Sequence, residues 1–145
     1  MAIKQVSIFV ENKPGTLVAI TDAIGAAGVD IRAMSIADTQ DFGILRLIVK
    51  EWERAKKVLT ENGLAVTVTG VVAVLVDDRP GGMCQILDTL DKYSINVEYL
   101  YAFVSPVKGS AVVILRFDAP DVAIERLSAD QAVKFVGPDD IFAGK

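Results

Sequence analysis

A chain of 145 residues, 52% hydrophobic and 23% charged, has room for one ordinary domain or two small ones and the composition of a well-packed soluble protein. Its net charge of −4 argues against a nucleic-acid backbone as partner, and no apolar run approaches the ~18 residues of a membrane span. A single cysteine, Cys84, excludes an internal disulfide framework; with no leader-like N-terminus, a cytoplasmic location is expected.

The first half begins with a strand at 3–10, where Val6, Ile8 and Val10 share a face and Ser7 takes the other. Val10-Glu11-Asn12-Lys13-Pro14-Gly15-Thr16-Leu17 then turns the chain into a helix over 15–27, with Leu17, Ile20, Ile24 and Ala27 at helical spacing and Gly28 as C-cap. Val29-Asp30-Ile31 opens a strand to about Ala37, and Asp38-Thr39-Gln40-Asp41 turns it onto a partner at 44–49. A second helix over 51–62 carries Trp52, Ala55, Val58 and Leu59 on one face, and a strand over 64–69 follows. The order is βαββαβ.

The second half repeats this order. A strand over 71–76 leads through Asp77-Asp78-Arg79-Pro80-Gly81-Gly82 into a helix with Met83, Ile86, Leu87 and Leu90. Ile95-Asn96-Val97 opens the next strand, Pro106 to Gly109 turns, and 111–117 returns. A short helix from Asp118-Ala119-Pro120-Asp121 to about Ser128, a strand over 132–136 and a tail over 137–145 complete it. Pro14 and Pro80, Gly15 and Gly81, Asp30 and Asn96, and Gly43 and Gly109 are each 66 positions apart, an alignment without a gap that marks an internal duplication. Domains at 1–69 and 70–145 follow, joined at Thr69-Gly70 too tightly for a flexible linker and so expected to pack rigidly. The fold class is α+β: two ferredoxin-like βαββαβ repeats, each an antiparallel sheet with its helices on one face. Phe9, Leu47, Val49 and Leu75 are the candidates for the opposite face.

The turn carries the chemistry. Pro14 presets its φ, Gly15 permits a tight strand-to-helix turn, and the first helical amides with the positive end of the dipole favour a carboxylate. Val-Glu-Asn-Lys-Pro-Gly-Thr-Leu followed by Gly-Val-Asp-Ile resembles the ACT domain, a small-molecule-sensing module of amino-acid metabolism. Val-Asp-Asp-Arg-Pro-Gly-Gly-Met, with Ile-Asn-Val-Glu-Tyr-Leu-Tyr-Ala-Phe, is similar to a second copy. The first half also resembles the N-terminal part of the regulatory subunit of acetolactate synthase, although a second ACT copy is not what that likeness implies. The resemblance implies a ligand between two ACT units, where the turn of one faces an early strand of its neighbour. Its residues here are Asn12, Lys13, Pro14, Gly15, Thr16 and Leu17 with Asp30 and Ile31. In the second copy they are Asp78, Arg79, Pro80, Gly81, Gly82 and Met83 with Asn96 and Val97. An α-amino acid suits them: amides at Gly15 to Leu17 for its carboxylate, and Asn12, Asp30, Asp78 or Asn96 for its ammonium. Asp30 stands where the family often has Asn, so the two sites should differ in affinity.

Plainer readings stand beside these. Asn12 and Asp78 can cap their own turns, Lys13 and Arg79 can be solvated charges, and Asp30 and Asn96 can be structural. Cys84 reads as a small packing residue, Asp77-Asp78 and Asp139-Asp140 as solvated acids rather than a metal site, and Tyr93, Tyr99, Tyr101 and Phe103 as packing aromatics. Without histidine, a base-paired nucleophile or a phosphate-binding glycine pattern, an enzyme is not expected, and neither is a cofactor. The expectation is a regulatory protein that binds an amino acid and controls a metabolic enzyme, as a homodimer. The alternative is an interaction subunit with degenerate ligand sites.

Overall fold

The computed structural model describes residues 2–38, 40–105 and 107–143; Thr39 and Pro106 of the two predicted hairpin turns, and the end of the predicted tail, lie outside them. In chain order the elements are β1 (Ile3–Glu11), α1 (Thr16–Ala26), β2 (Ile31–Asp38), β3 (Phe42–Val49), α2 (Trp52–Glu61) and β4 (Ala65–Asp77). There follow α3 (Gly82–Lys92), β5 (Val97–Val104), β6 (Ser110–Phe117), α4 (Pro120–Ser128), β7 (Lys134–Val136) and α5 (Pro138–Ile141). The strands predicted at 64–69 and 71–76 are thus one continuous strand, β4. Two compact units make up the chain: Lys4–Thr69, and Gly70 onward together with the first residues through Ile3.

In the first unit the strand order is β2-β3-β1, with β4 beside β1. Antiparallel register pairs Val6 with Leu47, Ile8 with Leu45 and Val10 with Gly43. Directly opposed residues share a face, so these side chains form one apolar layer. Ile20 and Ile24 of α1 and Ala55 and Leu59 of α2 bury against that layer in a single cluster. Both helices therefore lie on one face, and each fully buried Ile or Leu contributes roughly 1.5–3 kcal/mol. Leu47 and Val49 belong to this cluster, not to the opposite face predicted for them. Arg46, between Leu45 and Leu47, marks the other face of β3. Phe9 does lie on that outer face, 55% exposed and stacked on Phe42 with ring centroids 5.4 Å apart. Gly28 at φ +71 closes α1, where Val29 N–H donates to Ile24 C=O at 3.1 Å.

The second unit repeats the plan: the order is β5-β6-β4, with β7 pairing β4 on its other side. Val72, Val74 and Val76 join Val113, Leu115 and Phe117 beneath Ile86 and Leu90 of α3 and Ala123 and Leu127 of α4. Leu75 points the other way, as predicted, and is half-buried. The duplication has a gap, however. Ile8 pairs with Leu45, and its counterpart Val74 pairs with Val113, so β3 and β6 are offset by 68 positions rather than 66. Met34 pairs with Leu47 and Leu100 with Leu115, so β2 and β5 keep the offset of 66. The second hairpin loop is two residues longer, and Gly43 and Gly109 are not equivalent: Gly43 is paired within β3, while Gly109 turns at φ +79. A two-residue insertion preserves strand facing, which hid it from the periodicity.

Two further expectations are corrected. The predicted tail contains α5, started by Pro138 and holding Ile141 at 1% exposure. Cys84 is exposed rather than packed, because Met83, Ile86 and Leu90 take the inner face of α3.

Candidate functional site

The first turn is built from the end of β1. Lys13 N–H donates to Glu11 C=O at 3.1 Å, and its ammonium meets the Glu11 carboxylate at 2.9 Å in an exposed pair. Gly15 sits at the N-cap of α1 with φ +91, a left-handed conformation that glycine adopts without the Cβ penalty. Thr16 N–H turns back to Lys13 C=O at 3.4 Å, so it is not among the amides left for a carboxylate, contrary to the expectation from sequence. The first α-helical bond joins Ala19 N–H to Gly15 C=O at 3.1 Å, leaving the Leu17 and Val18 amides without an intrahelical acceptor. No side chain caps this helix, and no acidic residue stands in its first turn. Its positive end is uncompensated from within.

Beside these amides the Thr16 hydroxyl oxygen is buried and, among the described residues, has no hydrogen-bond partner. A buried hydroxyl in that state costs about 1–3 kcal/mol, which makes it a natural contact for a bound molecule. A concavity of about 400 Å³ adjoins it, with Phe9, Glu11, Lys13, Phe42 and Leu64 among its walls. Asn12 braces the turn: its N–H donates to Asp41 C=O at 2.9 Å, and its side-chain amide reaches Gln40 C=O at 3.5 Å. Leu17 lies at the surface, 39% exposed.

The second turn has the same backbone but less space. Gly81 takes φ +85 at the N-cap of α3, Gly82 N–H donates to Arg79 C=O at 3.0 Å, and Gln85 N–H to Gly81 C=O at 3.3 Å. Arg79 pairs with Asp77 at 3.3 Å, and Asp78 N–H donates to Gly109 C=O at 2.9 Å. A Cβ on Gly82 would lie 2.0 Å from the Asp77 carbonyl oxygen, so helix and strand end meet with only glycine between them. The concavity here is about 100 Å³, with Asp77, Gly82, Gln85 and Lys134 on its walls. Met83, unlike Leu17, packs partly buried against the core of its unit.

Asp30 and Asn96 are both exposed and immediately precede β2 and β5. Ile31 and Val97 pack partly buried against the two cores. In both strands the register shifts at the next residue, Arg32 in β2 and Glu98 in β5. Such bulges redirect side chains and recur beside binding sites. Within one unit, however, these residues and the turn are not brought together: the 11 residues of the intervening helix separate them by roughly 16 Å. Glu11, Phe42 and Leu64 were not foreseen as site residues. The stacked pair and the β4 approach become adjacent only through the sheet order. No cluster of three or more metal-ligating side chains occurs among the described residues, and no helix there is long and apolar enough to cross a membrane.

The family profile described as "ACT domain pair" matches residues 1–143. No curated protein sequence matches the chain. Among solved structures, protein BT0572 from Bacteroides thetaiotaomicron is 34% identical, with 99% of this chain and 97% of that one covered and a TM-score of 0.90. The regulatory subunit of aspartate kinase from Thermus thermophilus, ligand-free, is 15% identical over 89% of this chain and 91% of its own, with a TM-score of 0.62. Aspartate kinase from Clostridium acetobutylicum is 16% identical over 90% of this chain and 31% of its own, with a TM-score of 0.56.

Proposed function

Because the chain belongs to the ACT domain pair family, we propose that it is a non-catalytic regulatory protein whose first turn binds an α-amino acid and whose occupancy controls an enzyme of amino-acid metabolism. The observation that carries this reading is the uncapped start of α1 at Gly15, with the unpartnered Thr16 hydroxyl beside it. The ligand carboxylate takes the Leu17 and Val18 amides and the Thr16 hydroxyl, and its side chain lies toward Phe9, Phe42 and Leu64. Volume discriminates between the repeats: about 400 Å³ falls within the ~300–1,000 Å³ of ordinary small-molecule pockets and about 100 Å³ falls below it. The first repeat is therefore the ligand-binding one. An ACT unit of a second copy supplies the ammonium acceptor, Asp30 or Asn96, since neither reaches the turn within its own unit. A bound ligand acts on the target enzyme through its differential affinity for two arrangements, typically ~1–3 kcal/mol of coupling.

The closed second turn favours a companion reading for that repeat. With Gly82 against the Asp77 carbonyl, its site is degenerate and the unit serves contacts with protein. A thermal-shift screen against the twenty amino acids tests the whole. Under the proposal one amino acid, or one aliphatic set, raises the melting temperature, and replacement of Gly15 or Asp30 removes the effect. A flat screen on folded protein turns the reading to an interaction subunit whose only ligand is its enzyme. Binding that survives both replacements moves the site elsewhere.

A further inference from the structure

The second unit contains a cavity of about 290 Å³ that the turn site does not use. It lies on the sheet face away from α3 and α4, where Leu75, Val112 and Val136 point, and Ile141 of α5 closes one wall. The repeats differ at this face. In the first unit the corresponding outer-face position holds Phe9, exposed and stacked on Phe42. By the offset of β1 and β4 its counterpart is Leu75, a smaller side chain on the cavity wall. Ile141 of the α5 turn stands on the same wall. Mostly apolar walls fit an aliphatic group, and the volume fits only a small one.

The polar groups at this cavity favour an anion. Lys134 lines it, stands directly across from Leu75 in the β4–β7 register, and forms no ion pair among the described residues. Ser105 is 8% exposed, and its oxygen accepts from Val107 N–H at 2.9 Å, which leaves its O–H to donate. Asp140 is the one carboxylate on the wall among the described residues, and one of its oxygens lies 3.7 Å from the Cβ position of Gly137, folded back on the start of its own helix. An ammonium and a hydroxyl donor on the walls of an apolar chamber match a carboxylate head on a short hydrocarbon chain.

We infer that this cavity is a second ligand site, separate from the first ACT turn, for a short aliphatic monocarboxylate whose head lies between Lys134 and Ser105 and whose chain lies against Val112, Val136 and Ile141.

Methyl NMR of the full chain, titrated with 4-methylpentanoate and in parallel with 4-methylpentanamide, tests this. The acid should shift the Leu75, Val112, Val136 and Ile141 methyls in a saturable way and leave those of Leu17 and Val18 unmoved. The amide should bind about tenfold more weakly. Lys134→Met should bring the acid down to the affinity of the amide, and Leu75→Phe, which restores the side chain of the first repeat, should abolish both. Absent shifts at those methyls at millimolar acid, equal binding of the amide, or undiminished binding in Leu75→Phe would each overturn the assignment.

Discussion

At Thr16, stability and the proposed binding role pull in opposite directions. Its hydroxyl is buried without a partner, so the isosteric Thr16→Val removes a polar penalty and leaves the packing intact. Thr16→Val should raise stability by about 1 kcal/mol, near 4 °C in melting temperature, and weaken amino-acid binding about tenfold. Calorimetry of free and ligand-saturated protein reads both. A variant that is less stable, or that binds as well as the parent, would place the hydroxyl outside the site. Gly82 occupies the equivalent position and responds differently. Its Cβ would meet the Asp77 carbonyl at 2.0 Å, so Gly82→Ala should cost about 1–3 kcal/mol in urea denaturation. The Pro-Gly turns and their glycine conformations were legible in the sequence, because Pro14-Gly15 and Pro80-Gly81 state the backbone they need. The tightness at Gly82 was not, because it depends on how closely the end of β4 approaches α3.

At the level of elements, the end of α3 is tied to the α4–β7 turn through Asp130. Its carboxylate accepts from Ala132 N–H at 2.9 Å, from the Tyr93 hydroxyl at 3.0 Å and from the Lys92 ammonium at 3.4 Å, while Arg126 donates to Tyr93 C=O at 3.0 Å. The Ala132 amide first, and then the Tyr93 hydroxyl, hold Asp130 below the usual carboxylate range. A depressed carboxyl stabilises the fold above the unfolded value and loses that contribution as pH falls through the folded one. Lys92 is raised above its ordinary value by the Tyr93 and then the Asp130 contacts. Its contribution is full at neutral pH and fades in strong base. Asp130→Asn should thus lower stability at pH 7 and flatten the decline below pH 4, which urea melts from pH 2 to 7 would show. In α5, Ile141→Ala should cost about 2–4 kcal/mol, because the side chain is 1% exposed. An unstructured tail would make that change neutral. Sequence patterning found every longer element, since Ile20 and Ile24, or Val6, Ile8 and Val10, repeat often enough to show a period. It missed α5 because four residues show none. It placed Leu47 and Val49 on the wrong face because the β3 run is apolar on both sides of Arg46.

At the scale of the whole molecule, duplication has produced two similar backbones with different vacancies. The first repeat keeps an open turn of about 400 Å³ beside Thr16, with Phe9 and Phe42 stacked on its wall. The second closes its turn to about 100 Å³ against Gly82 and opens its outer face at Leu75. The sequence already set Asp30 against Asn96 as a reason for unequal sites, but the difference at Thr16 and Gly82 is the larger one, since volume excludes a ligand more firmly than charge weakens it. Titration calorimetry should therefore return one amino acid per chain, not two, with a single-site isotherm. At a hundredfold excess over the dissociation constant, that one event stabilises the fold by about 2.7 kcal/mol. Replacement of Gly81 should leave the stoichiometry unchanged, whereas replacement of Gly15 should remove it. Two equivalents per chain, or loss on changing Gly81 alone, would show that the second turn opens for ligand and that the repeats share the work.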